Sequence, residues 1–115
     1  GYDVPVVVTG PDKRRGRGRS TSPTPVQACA IELGLEVRTD VDDVIDVHLE
    51  KPIDLAVVVA FGQLIRPHVL ANFPIVNLHV SKRTRWRGAA PVARAILAGD
   101  RLTAVSVMTI EEGLD

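Results

Sequence analysis

The sequence has 115 residues, 45% of them hydrophobic and 24% charged, enough apolar material for one small packed domain whose core, with only 3% aromatic residues, has to be aliphatic. Lys plus Arg and Asp plus Glu number 14 each, so no net charge steers the whole molecule, and any nucleic-acid contact must come from a local cluster. One cysteine, Cys29, excludes an internal disulfide framework and a zinc site of several thiolates, and no apolar run approaches the ~20 residues that span a membrane; a cytoplasmic protein is expected.

In chain order, Val4-Pro5-Val6-Val7-Val8-Thr9 is short and β-branched and predicts a strand with Pro5 near its start. Gly10-Pro11-Asp12 breaks it. Lys13, Arg14, Arg15, Arg17 and Arg19, spaced by Gly16 and Gly18, then make a basic loop that continues through residues 20–25. Three readings stay open for it: a solvated flexible loop, a nuclear-localisation-like signal, or a contact with a phosphate backbone. A helix is expected over residues 25–33, with Val26, Cys29, Ala30 and Leu33 on one face and Gly34 as its stop. Leu35-Glu36-Val37-Arg38 alternates as a short strand. Residues 40–46 are acidic and read as a solvated surface helix or turn, beside an exposed His48. Asp54-Leu55-Ala56-Val57-Val58-Val59-Ala60 has the continuous apolar character of a strand buried on both faces, hence of a parallel sheet. Phe61-Gly62-Gln63 leaves it at a turn open to a ligand.

A short helix over residues 65–71 carries Pro67 near its start. Ile75, Val76, Leu78 and Val80 make a buried strand. Residues 91–98 predict a helix with Val92, Ala95 and Ile96 inward, ended by Gly99-Asp100, and residues 103–110 alternate as the last strand. Strand–helix units in succession predict a Rossmann-like, mostly parallel α/β sheet with flanking helices. Such a sheet normally has a hydrophobic strand ahead of these units. Its absence, the start at Gly1 and the end at Asp115 lead to the expectation of a partial domain truncated at both ends and lacking its first strand.

Asn77 and His79 interrupt the strand of residues 75–80 at period two, so both side chains leave one face, at the carboxyl end of a strand where open α/β sheets place their chemistry. An amide there can donate to an oxygen gaining negative charge, and an imidazole can hold or release a proton near neutral pH. A lone His at a strand end is more often a satisfied polar residue than a catalyst, so its company decides. No Gly-x-Gly-x-x-Gly follows a strand and no Gly-x-Ser-x-Gly occurs, which argues against a dinucleotide site and a hydrolase elbow. The three His residues are too scattered for a metal site. What remains is Asn77, His79 and Asp115.

Asn77-Leu78-His79-Val80-Ser81, then Arg85-Trp86-Arg87-Gly88-Ala89-Ala90-Pro91, then Glu111-Glu112-Gly113-Leu114-Asp115, resembles the folate-dependent formyltransferase family. Pro11-Asp12, Gly16-Arg17-Gly18, Ser22-Pro23-Thr24-Pro25-Val26 and Val59-Ala60-Phe61-Gly62-Gln63 extend the resemblance over essentially the whole chain. The Asn-x-His motif implies formyl transfer in general. The Arg-Trp-Arg-Gly-Ala-Ala-Pro run and the basic Gly-Arg-Gly loop resemble the branch that works in translation initiation, moving the formyl group of 10-formyltetrahydrofolate to the α-amine of methionine on initiator tRNA. On that resemblance Asn77 and His79 face the formyl oxygen as it becomes an oxyanion, and Asp115 sets the ionisation of His79 and helps relay the proton. The transfer is direct, with no nucleophilic Ser or Cys and no metal. Folate is expected beside Phe61, Gly62, Gln63 and Ser81. The tRNA is expected against Lys13, Arg14, Arg15, Arg17 and Arg19, and against Arg85 and Arg87; a monomer without membrane contact completes the expectation.

One departure stands beside His79. The family carries Leu-Leu-Pro after the serine, where this chain has Lys82-Arg83-Thr84: two apolar anchors and a fixed-φ residue give way to two cations and a polar β-branched residue. Two alternatives follow, a non-catalytic truncated folate- or RNA-binding remnant and an enzyme that formylates a sugar nucleotide.

Overall fold

The computed structural model describes residues 1–14, 20–82 and 85–112. Arg15, Gly16, Arg17, Gly18, Arg19, Arg83, Thr84, Gly113, Leu114 and Asp115 lie outside the described residues. The chain forms two compact units, Gly1–Ile53 with Gly62–Ile65, and Asp54–Phe61 with Arg66–Asp115. Each is a mixture of strands and helices, in agreement with the α/β class expected from the alternating elements.

In the first unit, strand β1 (Val7–Val8) pairs in parallel with β4 (Val37–Arg38), Val7 opposite Val37 and Val8 opposite Arg38. Between them run the short antiparallel pair β2 (Lys13–Arg14) and β3 (Thr21–Ser22) and helix α1 (Pro25–Glu32). The two-stranded base of the basic loop was missed in the sequence, because two-residue strands leave no periodicity to read.

Local chemistry sets the bounds of α1. Pro25 supplies the fixed φ of a first helical turn, and Thr24 caps it by accepting from Gln27 N–H at 3.1 Å. The Thr24 hydroxyl also bonds that of buried Thr9 at 2.8 Å, tying the helix start to the end of β1. At the other end Gly34, at φ 71°, donates to Ile31 C=O at 3.0 Å, and Leu35 donates to Ala30 C=O at 2.9 Å, a Schellman stop that needs the left-handed glycine. Thr24→Ala is expected to cost about 1–2 kcal/mol, read as a lower urea midpoint, with Thr24→Ser close to wild type. An alanine variant of wild-type stability would show that the cap and its link to Thr9 carry no stability.

Of the residues expected on one face of α1, Ala30 is buried, while Val26, Leu33 and Cys29 are exposed. The acidic stretch is also less peripheral than expected. Asp40 caps a 3-10 turn (Val41–Asp43) that continues into α2 (Val44–Glu50), where Val44 and Val47 are buried. His48, expected to be exposed, is half-buried, and its Nδ1 accepts from Ile53 N–H at 2.8 Å.

The second unit holds a three-stranded sheet of order β5 (Ala56–Val58), β6 (Ile75–His79), β7 (Ser106–Thr109), with β6 central. β5 runs parallel to β6 and β7 antiparallel to it. The register is Ala56 to Ile75, Val57 to Val76 and Val58 to Asn77 on one side. On the other, Val76 faces Thr109, Asn77 faces Met108, Leu78 faces Val107, and His79 faces Ser106. Helices α3 (Pro67–Leu70) and α4 (Pro91–Leu97) each begin on a proline. Among the described residues of this unit the buried hydrophobic ones are Val69, Phe73, Ile75 and Ala95.

β5 is not buried on both faces as expected: Val57 is 57% exposed and Val107, on the same sheet face, 65%. In α4 Ala95 is buried, but Ile96 is 72% exposed and Val92 is exposed. Among the described residues no helix is long and apolar enough to cross a membrane.

Candidate active site

The site is built on the end of β6. Alternation sends Asn77 and His79 to the same sheet face, where Asn77 lies between Val58 and Met108 in the register and His79 stands opposite Ser106. The strand then closes tightly: Ser81 N–H donates to His79 C=O at 2.9 Å. Ser106 Oγ donates to Ser81 C=O at 2.8 Å, fastening the turn to the start of β7.

His79 is half-buried, and its Nε2 lies 3.0 Å from the backbone oxygen of Trp86. A carbonyl oxygen only accepts, so Nε2 carries the proton and donates. In the neutral ring Nδ1 is then the nitrogen with the free lone pair. Trp86 reaches this position in a left-handed conformation, φ 60°, which for a bulky side chain costs on the order of 1–3 kcal/mol and persists only where neighbours hold it.

The neighbours are Asp100 and Arg85. Asp100 Oδ2 accepts from the Trp86 indole N–H at 2.7 Å and from Arg85 Nε at 3.0 Å, while Oδ1 accepts from the other arm of the Arg85 guanidinium at 2.8 Å. The Arg85 guanidinium stacks on the Trp86 ring, 4.5 Å from its centroid. The indole N–H, and next the Arg85 guanidinium, lower the Asp100 carboxyl below its ordinary range, so it is ionised at neutral pH. A carboxyl depressed in the folded state adds stability above its unfolded value, and that contribution is lost as pH falls through the folded value.

Helix α4 delivers Asp100. Gly99, at φ 70°, donates to Ile96 C=O, and Asp100 N–H donates to Ala95 C=O, both at 3.0 Å, so the helix stop also sets the backbone of the carboxylate. In the sequence Gly99-Asp100 reads only as that stop. The further part played by Asp100 was missed; a weak signal was available in an acidic residue following a helix near a basic-aromatic run.

Several expected site residues stand differently from their sequence assignments. Arg85, expected on a phosphate, has its guanidinium fork bound by Asp100. Ser81, expected on folate, is 1% exposed, with its hydroxyl donating to Lys82 C=O at 3.3 Å; it holds the turn. Gln63 has its amide satisfied within the first unit, Nε2 donating to Thr39 C=O at 2.7 Å and Oε1 accepting from Val41 N–H at 3.1 Å. Phe61 is half-buried and follows Ala60, which is left-handed at φ 47°; at Gly62 the space a side chain would fill is open. Lys13 and Arg14 are exposed on β2, and Arg87 presents its carbonyl to Arg94 at 3.3 Å. Arg15, Arg17, Arg19 and Asp115 lie outside the described residues, as do Arg83 and Thr84 of the departure after Ser81. Among the described residues no group of three or more His, Cys, Asp or Glu is placed to hold a metal ion.

The chain is similar to curated proteins named methionyl-tRNA formyltransferase. It is 46% identical over 121 residues to that of a Caulobacter species, covering 100% of this chain and 39% of the relative. It is 44% identical over 122 residues to that of a Synechococcus species, covering 100% and 36%. With that of Halorhodospira halophila the identity is 47% over 115 residues, covering 95% and 37%. The chain thus spans little more than a third of the length of the curated relatives it matches. The family model described as formyl transferase matches residues 1–115, from the first residue to the last, and with the Asn-x-His strand end in place the chain belongs to the formyl transferase family.

Proposed function

We propose that this chain carries the catalytic chemistry of a methionyl-tRNA formyltransferase, moving a formyl group from 10-formyltetrahydrofolate to the α-amine of methionine on initiator tRNA. The observation that carries the reading is the Asn77–His79 pair on one face of β6, with His79 Nε2–H committed to the Trp86 carbonyl, in a chain whose relatives share that name. The shared name also disfavours sugar-nucleotide formylation and a non-catalytic remnant. Cytoplasmic, monomeric action belongs to the same proposal.

When an amine attacks a formyl carbon, a new C–N bond forms, the formyl oxygen becomes an oxyanion, and the amine nitrogen must lose a proton as the old C–N bond to the donor breaks. Asn77 Nδ2–H donates to that oxyanion, a preorganised dipole that does not reorient during reaction. His79, with Nε2–H spent on Trp86, offers Nδ1 to the proton leaving the amine and returns it to the departing nitrogen. Asp115 is assigned the tuning of that imidazole. No protein nucleophile is required, because the attacking group comes with the substrate.

The donor supplies a flat ring system. The open space at Gly62 beside Phe61 suits an approach to backbone there, whereas Gln63 and Ser81 serve by holding their own loops. The tRNA contact is assigned to Lys13, Arg14, Arg15, Arg17 and Arg19, with Arg87 as a further candidate; Arg85 is withdrawn from it because its charge is neutralised by Asp100.

The full-length protein is expected to formylate methionyl-tRNA and to leave an amino-sugar nucleotide untouched; the opposite preference rejects the reading. Reversing both charges as Lys13→Glu with Arg14→Glu is expected to raise KM for the tRNA about tenfold or more. The slope of log affinity against log salt should become shallower by about 2, one for each phosphate that is no longer neutralised. KM for the formyl donor stays as it was. An unchanged slope removes these two residues from the tRNA surface.

A further inference from the structure

We propose that Asp100 is a positioning residue of this site: by gripping both Arg85 and Trp86 it holds the Trp86 carbonyl on His79 Nε2 and so selects the tautomer of the imidazole. The inference rests on His79 being the proton-handling group proposed above.

Trp86 sits at φ 60°, a conformation that a tryptophan does not adopt for its own sake. Rotating it back toward the ordinary right-handed or extended regions would swing its carbonyl off His79, because that oxygen's direction is set by the same two dihedrals. Two interactions oppose the rotation, and both end on one carboxylate. The indole N–H is held at 2.7 Å, and the preceding residue is held by the paired Arg85 bonds at 3.0 and 2.8 Å. Arg85 lying over the indole face then clamps the ring between a cation and an anion.

Asp100 is itself placed by the left-handed Gly99 that terminates α4, so its backbone has little freedom to follow a moving Trp86. The grip is charge-assisted on the Arg85 side and bidentate, the arrangement with the strictest geometry available between two side chains. The result is a relay of position in which no proton moves: helix end to carboxylate, carboxylate to indole, Trp86 backbone to imidazole. Without it His79 is free to exchange tautomers, and in the Nδ1–H form the nitrogen needed as a base already carries a proton.

Asp100 touches neither reacting atom, so its test needs a signal that turnover alone does not give. In the full-length protein with 15N-labelled histidine, the ring-nitrogen shifts of His79 report which nitrogen is protonated. Wild type is expected to show the Nε2–H form. Asp100→Asn keeps the shape but loses the charge and sets an N–H donor against one arm of Arg85 in place of Oδ1, so the paired grip on Arg85 is lost; it should give mixed-tautomer shifts and a kcat lower by about tenfold, with KM for both substrates little changed. Trp86→Phe, which removes the indole donor and part of the ring under Arg85, should move the same shifts in the same direction, and the double variant should be no worse than Asp100→Asn alone.

Wild-type ring shifts in Asp100→Asn overturn the proposal, as does a wild-type kcat in a variant whose shifts have changed. Failure of the functional reading would show separately, as His79→Ala retaining turnover. The ring shifts need no turnover and still report what Asp100 holds.

Discussion

His79→Ala in the full-length protein is expected to lower kcat for formyl transfer by about 10²–10⁴-fold, with tRNA affinity within about twofold of wild type. The size follows from what the ring does. An amine at neutral pH is mostly protonated, and the adduct it forms on a formyl carbon cannot collapse to product until a proton leaves its nitrogen. Alanine removes the imidazole proposed to take that proton while leaving the strand pairing of His79 with Ser106 intact. Asn77→Ala should cost about 10²–10³ in kcat through the lost donor to the oxyanion. Because the two groups act on one intermediate, the double variant should fall little below the worse single one. Single-turnover assays with saturating methionyl-tRNA separate chemistry from binding. If His79→Ala turns over as fast as wild type, the imidazole has no part in the proton transfer.

Phe73→Ala carries the largest expected cost in stability, about 3–5 kcal/mol. The chain holds only 2 Phe, 1 Tyr and 1 Trp, so the core that fixes β6 depends on few large side chains. Phe73 is 5% exposed and lies just ahead of Ile75, the first residue of β6. Truncation removes most of a large apolar surface and leaves a void that only partly collapses. Since β6 presents Asn77 and His79, the loss should appear both as a lower urea midpoint and as lower activity at temperatures where the wild type is still folded. A drop below about 1 kcal/mol would show that the site closes over the gap, and that the placement of β6 does not depend on this ring.

The sequence-based readings succeeded where a few neighbouring residues decide the outcome. Pro25 and Pro91 open helices, and Gly34 and Gly99 end them in left-handed turns, because a proline's φ and a glycine's missing Cβ act within one turn of the chain. They failed where periodicity had to stand for burial. The apolar run of β5 predicted cover on both faces, yet Val57 is exposed, and α4 buries Ala95 while leaving Ile96 out. A period identifies a face. It does not say what lies against that face.

The same division runs through the site. That Asn77 and His79 share one face at the end of a strand was determined by the sequence alone, since alternation along an extended backbone is a matter of covalent geometry. That Trp86 offers its carbonyl to His79, and that Asp100 takes the Arg85 fork, was decided only by the tertiary structure. Arg85 and Asp100 are 15 residues apart with a helix between them, and an arginine in sequence carries the same charge whichever anion it meets. Which anion that is depends on where the end of α4 comes to rest.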